Sequence, residues 1–195
     1  MTKGTDGKTI TQYKGWSEEQ FVKYFQSKFA NYHPKSVRRT EIPKVGQPDK
    51  MRPLGIPCMD DRIIQQCIIQ VLEPICEARF HAHSYGFRPN RSASHAIARA
   101  QSLMNVSKLH YVVDVDIKGF FDNINHDKMV SILAEKIHDE RFLRLIRKFL
   151  KAGYLEDWQF HNTYSGTPQG GIISPILANI YLDKLDKFMK NLKRD

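Results

Sequence analysis

The chain has 195 residues, 41% of them hydrophobic, and 30 Lys and Arg against 21 Asp and Glu give it a formal charge of +9. That length and apolar content suffice for one substantial core, and aromatic residues at 11% exclude a disordered basic tail, which lacks the apolar surface to offset chain entropy. No run approaches the ~18 apolar residues of a membrane span and the opening MTKGTDGKTI has no apolar signal core, so the expected setting is the cytoplasm or an equivalent compartment, with polyanions as the favoured partners.

Ser17 opens the first predicted helix, with Gln20 as its capping-box partner, Glu18 and Glu19 in the first turn, and Phe21, Phe25 and Phe29 as a buried stripe. Residues 37–56 read as two strands around the turn formers Gly46, Gln47, Pro48 and Asp49, a β-hairpin with basic arms. Asp60 or Asp61 is the expected cap of a helix carrying Ile63, Ile64, Cys67, Ile68, Val71 and Leu72, which Pro74 disturbs. The polar loop SYGFRPNRS follows, and after Ser92 comes a helix with Ala96, Ile97, Ala100 and Leu103 on its inner side.

Residues 110–117 are the clearest strand, with Val113, Val115 and Ile117 on one face and Val112, Asp114 and Asp116 on the other. Two short helices come next, the first capped by Asn125 with Met129, Ile132, Leu133 and Ile137 inside, the second carrying Phe142, Leu145, Ile146 and Phe149 and stopping at Gly153. Trp158 and Phe160 alternate in a possible short hairpin over residues 154–164, and beyond the loop GTPQGG the pair Ser174 and Pro175 starts a last helix, with Leu177, Ile180, Tyr181, Leu185 and Phe188 on its apolar side. Cys58, Cys67 and Cys76 form no CxxC and read as reduced core thiols, and neither HExxH nor a paired Cys/His spacing accompanies the eight histidines.

Asp114 and Asp116 on one side of a strand stand about 6.5 to 7 Å apart at Cβ, so two metals about 3.5 to 4 Å apart can share only one of them closely. Asp116 is the better ligand because the chain turns away at Lys118 and Gly119; phosphoryl transfer needs such a carboxylate to hold Mg2+. The competing reading is the polar face of an edge strand, and Asp122 is read as bracing the turn into the next helix.

Four blocks stand in order: KMRPLGIPCMDDRI, HSYGFRPNRS, VDVDIKGFFDNINH and GTPQGGIISPILANIYLDKLD. Together they resemble the reverse transcriptases encoded by group II introns, and GTDGKTI resembles that family's N-terminal region. The resemblance implies an α+β right-hand polymerase fold, with helices on a small antiparallel sheet plus a finger β-hairpin. Residues 1–109 and 123–160 would be fingers, 110–122 the palm strand with the catalytic Asp, and 161–195 incomplete palm. It implies Asp116 as the catalytic carboxylate holding Mg2+ with the Ile117 carbonyl, and Phe121 beneath the incoming sugar, where a ring excludes a 2′-hydroxyl.

By the same resemblance Arg52 grips the triphosphate, Lys44 and Lys50 assist from the hairpin, and Gln169 contacts the nucleotide, while glycines 166, 170 and 171 admit backbone amides. Arg88 and Arg91 would hold the template strand, although Arg88 can equally brace the fold through backbone carbonyls, and Phe121 can simply be buried beside Phe120. The stripe Arg141, Arg144, Arg147 and Lys151 reads as a solvated helix face.

The implied activity is RNA-directed DNA polymerisation with template RNA, DNA primer and dNTP, in a bacterial cytoplasm or an organelle. The alternative is an RNA-binding maturase module that helps group II intron RNA fold and splice. The family's YADD block, whose aspartates complete the metal site, does not occur through Asp195, and Asp60 and Asp61 do not fit it. The 195 residues alone are therefore expected to be inactive, and uncovered palm surface is expected to favour a homodimer.

Overall fold

The computed structural model describes residues 2–167 and 170–192. After a 3-10 turn at Ile10–Tyr13, helix α1 spans Glu18–Phe29 behind the expected capping box: the Ser17 side chain accepts from the Gln20 N–H, and the Gln20 side chain accepts from the Ser17 N–H. Strands β1 (Val37–Lys44) and β2 (Gln47–Ile56) form the antiparallel hairpin, and Gln47, Pro48 and Asp49 already belong to β2. Helix α2 spans Met59–Glu77 and continues through Pro74. Helices α3 (Ala93–Asn105), α4 (Phe120–Asn123), α5 (His126–Ala134) and α6 (Glu140–Leu150) follow. The short hairpin β3 (Tyr154–Glu156) and β4 (Gln159–His161) leads to the last helix, α7 (Ser174–Asn191).

The class is α+β, as expected, but the two hairpins merge into one sheet ordered β2-β1-β3-β4. It is mixed and not purely antiparallel, because β1 runs parallel to β3, Val37 opposite Tyr154. Arg39 fastens that junction, with its guanidinium 4.7 Å from the Tyr154 ring centre and Nε 3.3 Å from Glu156. The core lies among helices: Phe25 of α1, Ile64 and Leu72 of α2, Met129 and Leu133 of α5, Ile146 and Phe149 of α6, and Leu177 and Ile180 of α7. No helix among the described residues is long and apolar enough to cross a membrane.

Asp60 and Asp61 do not cap α2. Cys58 holds that position without a side-chain bond, and the two carboxylates sit buried in the first turn, where the helix dipole favours negative charge. Tyr13 and Tyr24 donate to Asp60, which also has Lys28 Nζ at 3.8 Å, and Tyr32 donates to Asp61 at 2.7 Å, so phenols from the N-terminal region help satisfy two buried carboxylates.

Three expectations fail for want of a neighbour. Residues 110–117 carry no strand pairing despite their alternation, and Val113 is 85% exposed. A strand is made by its ladder, and no described segment supplies one, so propensity alone leaves the stretch uncovered. Helix α3 keeps its Ser92 cap but buries no residue, with Ile97 exposed where an inner face was expected. Leu185 and Phe188, expected on the apolar side of α7, are exposed as well.

Burial pushes the Asp61 carboxyl up to about 6, against the bonds from Tyr32 and the Lys35 N–H that favour its charged form. A raised acid pKa means that stability is fully present below pH ~3.8 and is lost as pH rises through about 6, by roughly 2–3 kcal/mol. Asp61→Asn keeps an oxygen for Tyr32 and cannot ionise. Its stability relative to wild type is expected to rise between pH 4 and 7 in urea titrations, and parallel pH profiles for the two proteins would contradict the assignment.

Candidate functional site

Strand β2 is an outer strand of the sheet, and Arg52, paired with Ile42, is exposed on it. Alternation puts Lys50, Arg52 and Leu54 on one face and Pro53 and Gly55 on the other. Among the described residues the side chains of Arg52, Lys44 and Lys50 have no hydrogen-bonding or ionic partner, so three cations project from the hairpin unneutralised.

The glycine loop meets both this strand and α4. Thr167 N–H donates to the Phe121 carbonyl at 2.7 Å, Gly166 N–H to the Ile124 carbonyl at 2.7 Å, and Ser165 Oγ to the Asp122 carbonyl at 2.9 Å. Gly166 has φ +85°, and a Cβ there would stand 2.7 Å from the Phe121 oxygen and 2.8 Å from the Asp122 Cα. Only glycine permits that approach. Further on, a Cβ on Gly170 would stand 2.3 Å from the Gly55 oxygen and 2.9 Å from Leu54 Cδ1, which presses the loop against β2 two residues from Arg52. An open cavity of about 340 Å³ is lined by Arg39, Pro53, Gly55, Asp122, Tyr154 and Gly166. The structure thus brings Phe121, the glycine loop and the strand of Arg52 together. Gln169 lies outside the described residues.

Asp116 and Asp114 stand in the unpaired stretch, both exposed, neither side chain having a partner among the described residues. Ile117 is 43% exposed. The chain then turns at Gly119, whose φ of 60° starts α4, and Asn123 Nδ2 closes the turn by donating to the Gly119 carbonyl at 2.9 Å. Phe121 is half-buried and meets Phe120 edge to face at 5.7 Å. The open strand tip expected at Asp116 is open, but it is not a strand. No group of three or more His, Cys, Asp or Glu side chains able to hold a metal occurs among the described residues.

Arg88 is corrected. Its Nε and Nη2 donate to the two Glu77 oxygens at 2.9 and 2.7 Å, and Nη1 donates to the His81 and Ser84 carbonyls, both at 2.8 Å. The side chain is buried and its fork is occupied by the protein itself, which is the bracing role and leaves it unsuited to holding a template. The same loop is held to α7, where Asn179 donates to the Gly86 carbonyl and Asp183 accepts from the His81 N–H. Arg91 stays exposed, with one bond to the Ala82 carbonyl and its guanidinium 5.6 Å from the Tyr85 ring centre.

The sequence reading assigned no role to His126, which is buried with Nε2 2.7 Å from the Gly166 carbonyl. Its signal was faint: a histidine directly after the cap residue Asn125, where a side chain can reach back past the helix start.

Residues 42–193 match the family model described as reverse transcriptase (RNA-dependent DNA polymerase). The chain is 50% identical over 180 residues to the group II intron-encoded protein LtrA of Lactococcus lactis subsp. cremoris, covering 92% of this chain and 30% of that protein. It is 37% identical over 193 residues to the protein YkfC of Escherichia coli (strain K12), covering 96% of this chain and 50% of the other. A solved structure of a partial Cas6-RT-Cas1--Cas2 complex aligns with a TM-score of 0.54 at 21% identity, over 93% of this chain and 32% of that one, a likeness of fold alone.

Removing the Arg88 fork by Arg88→Ala leaves two half-buried carbonyls and Glu77 without their donor and is expected to lower stability by roughly 2–4 kcal/mol, read from the urea midpoint. Arg91→Ala is expected to stay within about 0.5 kcal/mol of wild type. Equal effects of the two would contradict the separation of brace from free cation.

Proposed function

Because this chain belongs to the reverse transcriptase (RNA-dependent DNA polymerase) family, we propose that it forms the nucleotide-gripping part of a group II intron reverse transcriptase. It spans 30% of LtrA and 50% of YkfC, so the activity proposed is that of a polymerase containing this chain. The observation that carries the reading is the clasp of the glycine loop between α4 and β2, which sets Phe121 and the strand of Arg52 on either side of one loop.

In this reading Arg52 offers its planar fork to the triphosphate, with Lys44 and Lys50 adding charge from the same hairpin. The Phe121 ring lies under the sugar and excludes a 2′-hydroxyl, Gln169 orients the nucleotide, and Arg91 helps hold template RNA beside the DNA primer. Residues 1–109 and 123–160 act as fingers, and 110–122 with 161–195 as palm. Catalysis comes from positioning and charge stabilisation around a dNTP.

Reverse transcriptases generally use a divalent metal. The donors here fit one in kind: Asp116 and the Ile117 carbonyl are hard oxygens of the type Mg2+ takes, and the Asp116 side chain is exposed without a partner among the described residues. They form part of a shell and not a whole one. A metal held there would draw charge from phosphate oxygens.

A maturase role is compatible, since a 29% identical relative in Arabidopsis thaliana is named nuclear intron maturase 2, mitochondrial, and the charge of +9 suits binding of group II intron RNA without any metal. Self-association belongs to the same reading, through the exposed Tyr111, Val112, Val113, Val115 and Ile117.

Asp116→Asn in the polymerase is expected to abolish primer extension while RNA binding is largely kept, and the 195 residues alone are expected to extend no primer. Undiminished synthesis by the variant would end the proposal. Replacing Val113 and Val115 by Lys is expected to shift the 195-residue chain toward monomer in sedimentation; a wild type that is monomeric at high concentration would remove the self-association.

A further inference from the structure

The Gly166 peptide is gripped on both sides by one short stretch of chain. Its N–H donates to the Ile124 carbonyl and its carbonyl receives His126 Nε2, each at 2.7 Å. A carbonyl can only accept, so the imidazole donates and its proton is fixed on Nε2. The ring has a rigid mount: Asn125 caps α5 by accepting from the Lys128 N–H at 2.9 Å, and Met129 and Leu133 of that helix are buried in the core. Gly166 has no side chain with which to pack, and its φ of +85° admits none, so hydrogen bonds alone hold this point of the loop. The next residue donates to the Phe121 carbonyl. Whatever fixes Gly166 therefore fixes the spacing between Phe121 and the glycine loop at Thr167.

We propose that His126 is a positioning residue that sets this spacing, and so sets the tightness of dNTP binding and the rejection of ribonucleotides. The consequence rests on the polymerase reading; the tie between His126 and Gly166 does not. His126 touches no substrate. Without its donor the buried Gly166 carbonyl is left unsatisfied, the loop leans away from α4, and the pocket for the sugar loosens.

Two substitutions separate positioning from bulk. His126→Phe keeps the ring volume and removes the donor, whereas His126→Gln keeps an N–H at similar reach. In the full polymerase, His126→Phe is expected to raise the KM for dNTP roughly tenfold with little change in kcat, and to lower selectivity for dNTP over rNTP by a similar factor. His126→Gln is expected to restore both. A loss confined to kcat, with KM and selectivity unchanged, is the signature of a smaller folded fraction and would overturn the proposal. In the 195-residue chain itself, hydrogen exchange of the peptide covering residues 162–172 is expected to quicken in the Phe variant and return toward wild type in the Gln variant; equal protection in all three would also overturn it. If Asp116→Asn still polymerises, the polymerase reading fails, and the exchange measurement decides the His126 tie by itself.

Discussion

Everything that can be called a site in this protein depends on one close backbone contact, the approach of Gly166 to the Phe121 and Asp122 peptides. Two stretches about forty residues apart in sequence meet there without intervening side chains. Hydrogen bonds from Ser165, Gly166, Thr167 and His126 then fix the contact at four points. Gly170 in turn rests against β2 at Leu54 and Gly55. The Phe121 ring and the Arg52 cation, on separate elements, are thus related through one short strap.

Charge is distributed by a simple rule. Buried ionisable groups find partners within the fold, Arg88 being paired with Glu77 and Asp60 and Asp61 accepting hydrogen bonds from phenols, whereas Arg52, Lys44 and Lys50 are left exposed without partners among the described residues. An arginine braced by a carboxylate and two carbonyls has little left to offer a phosphate. Three of the cations that remain open share the hairpin, and Arg52 adjoins Pro53, which lines the cavity.

The sequence made the local signals legible: the capping box at Ser17, the hairpin over residues 37–56 and the Asn125 and Ser92 caps stand where their side chains announced them, and the last helix starts at Ser174, although Ile173 and not Ser174 holds its cap position. These depend on groups within a few residues of each other. What depended on a partner was not legible. The alternation of residues 110–117 marks strand propensity, yet pairing needs a second strand, and the apolar stripe of α3 marks a face without naming its cover. Arg88 and Arg91 look alike in sequence, and only burial beside Glu77 distinguishes them. His126 was invisible because its partner is a backbone carbonyl forty residues away.

The phenol contacts to Asp60 and Asp61 also order events in time. Tyr13, Tyr24 and Tyr32 leave a ribosome before their acceptors, which emerge some thirty to fifty residues later. Helix α1, only three turns long, is marginal in water until α2 arrives to receive it. Until then the helix must wait, and a nascent chain paused before position 60 would hold Phe21 and Phe25 with nowhere to bury them.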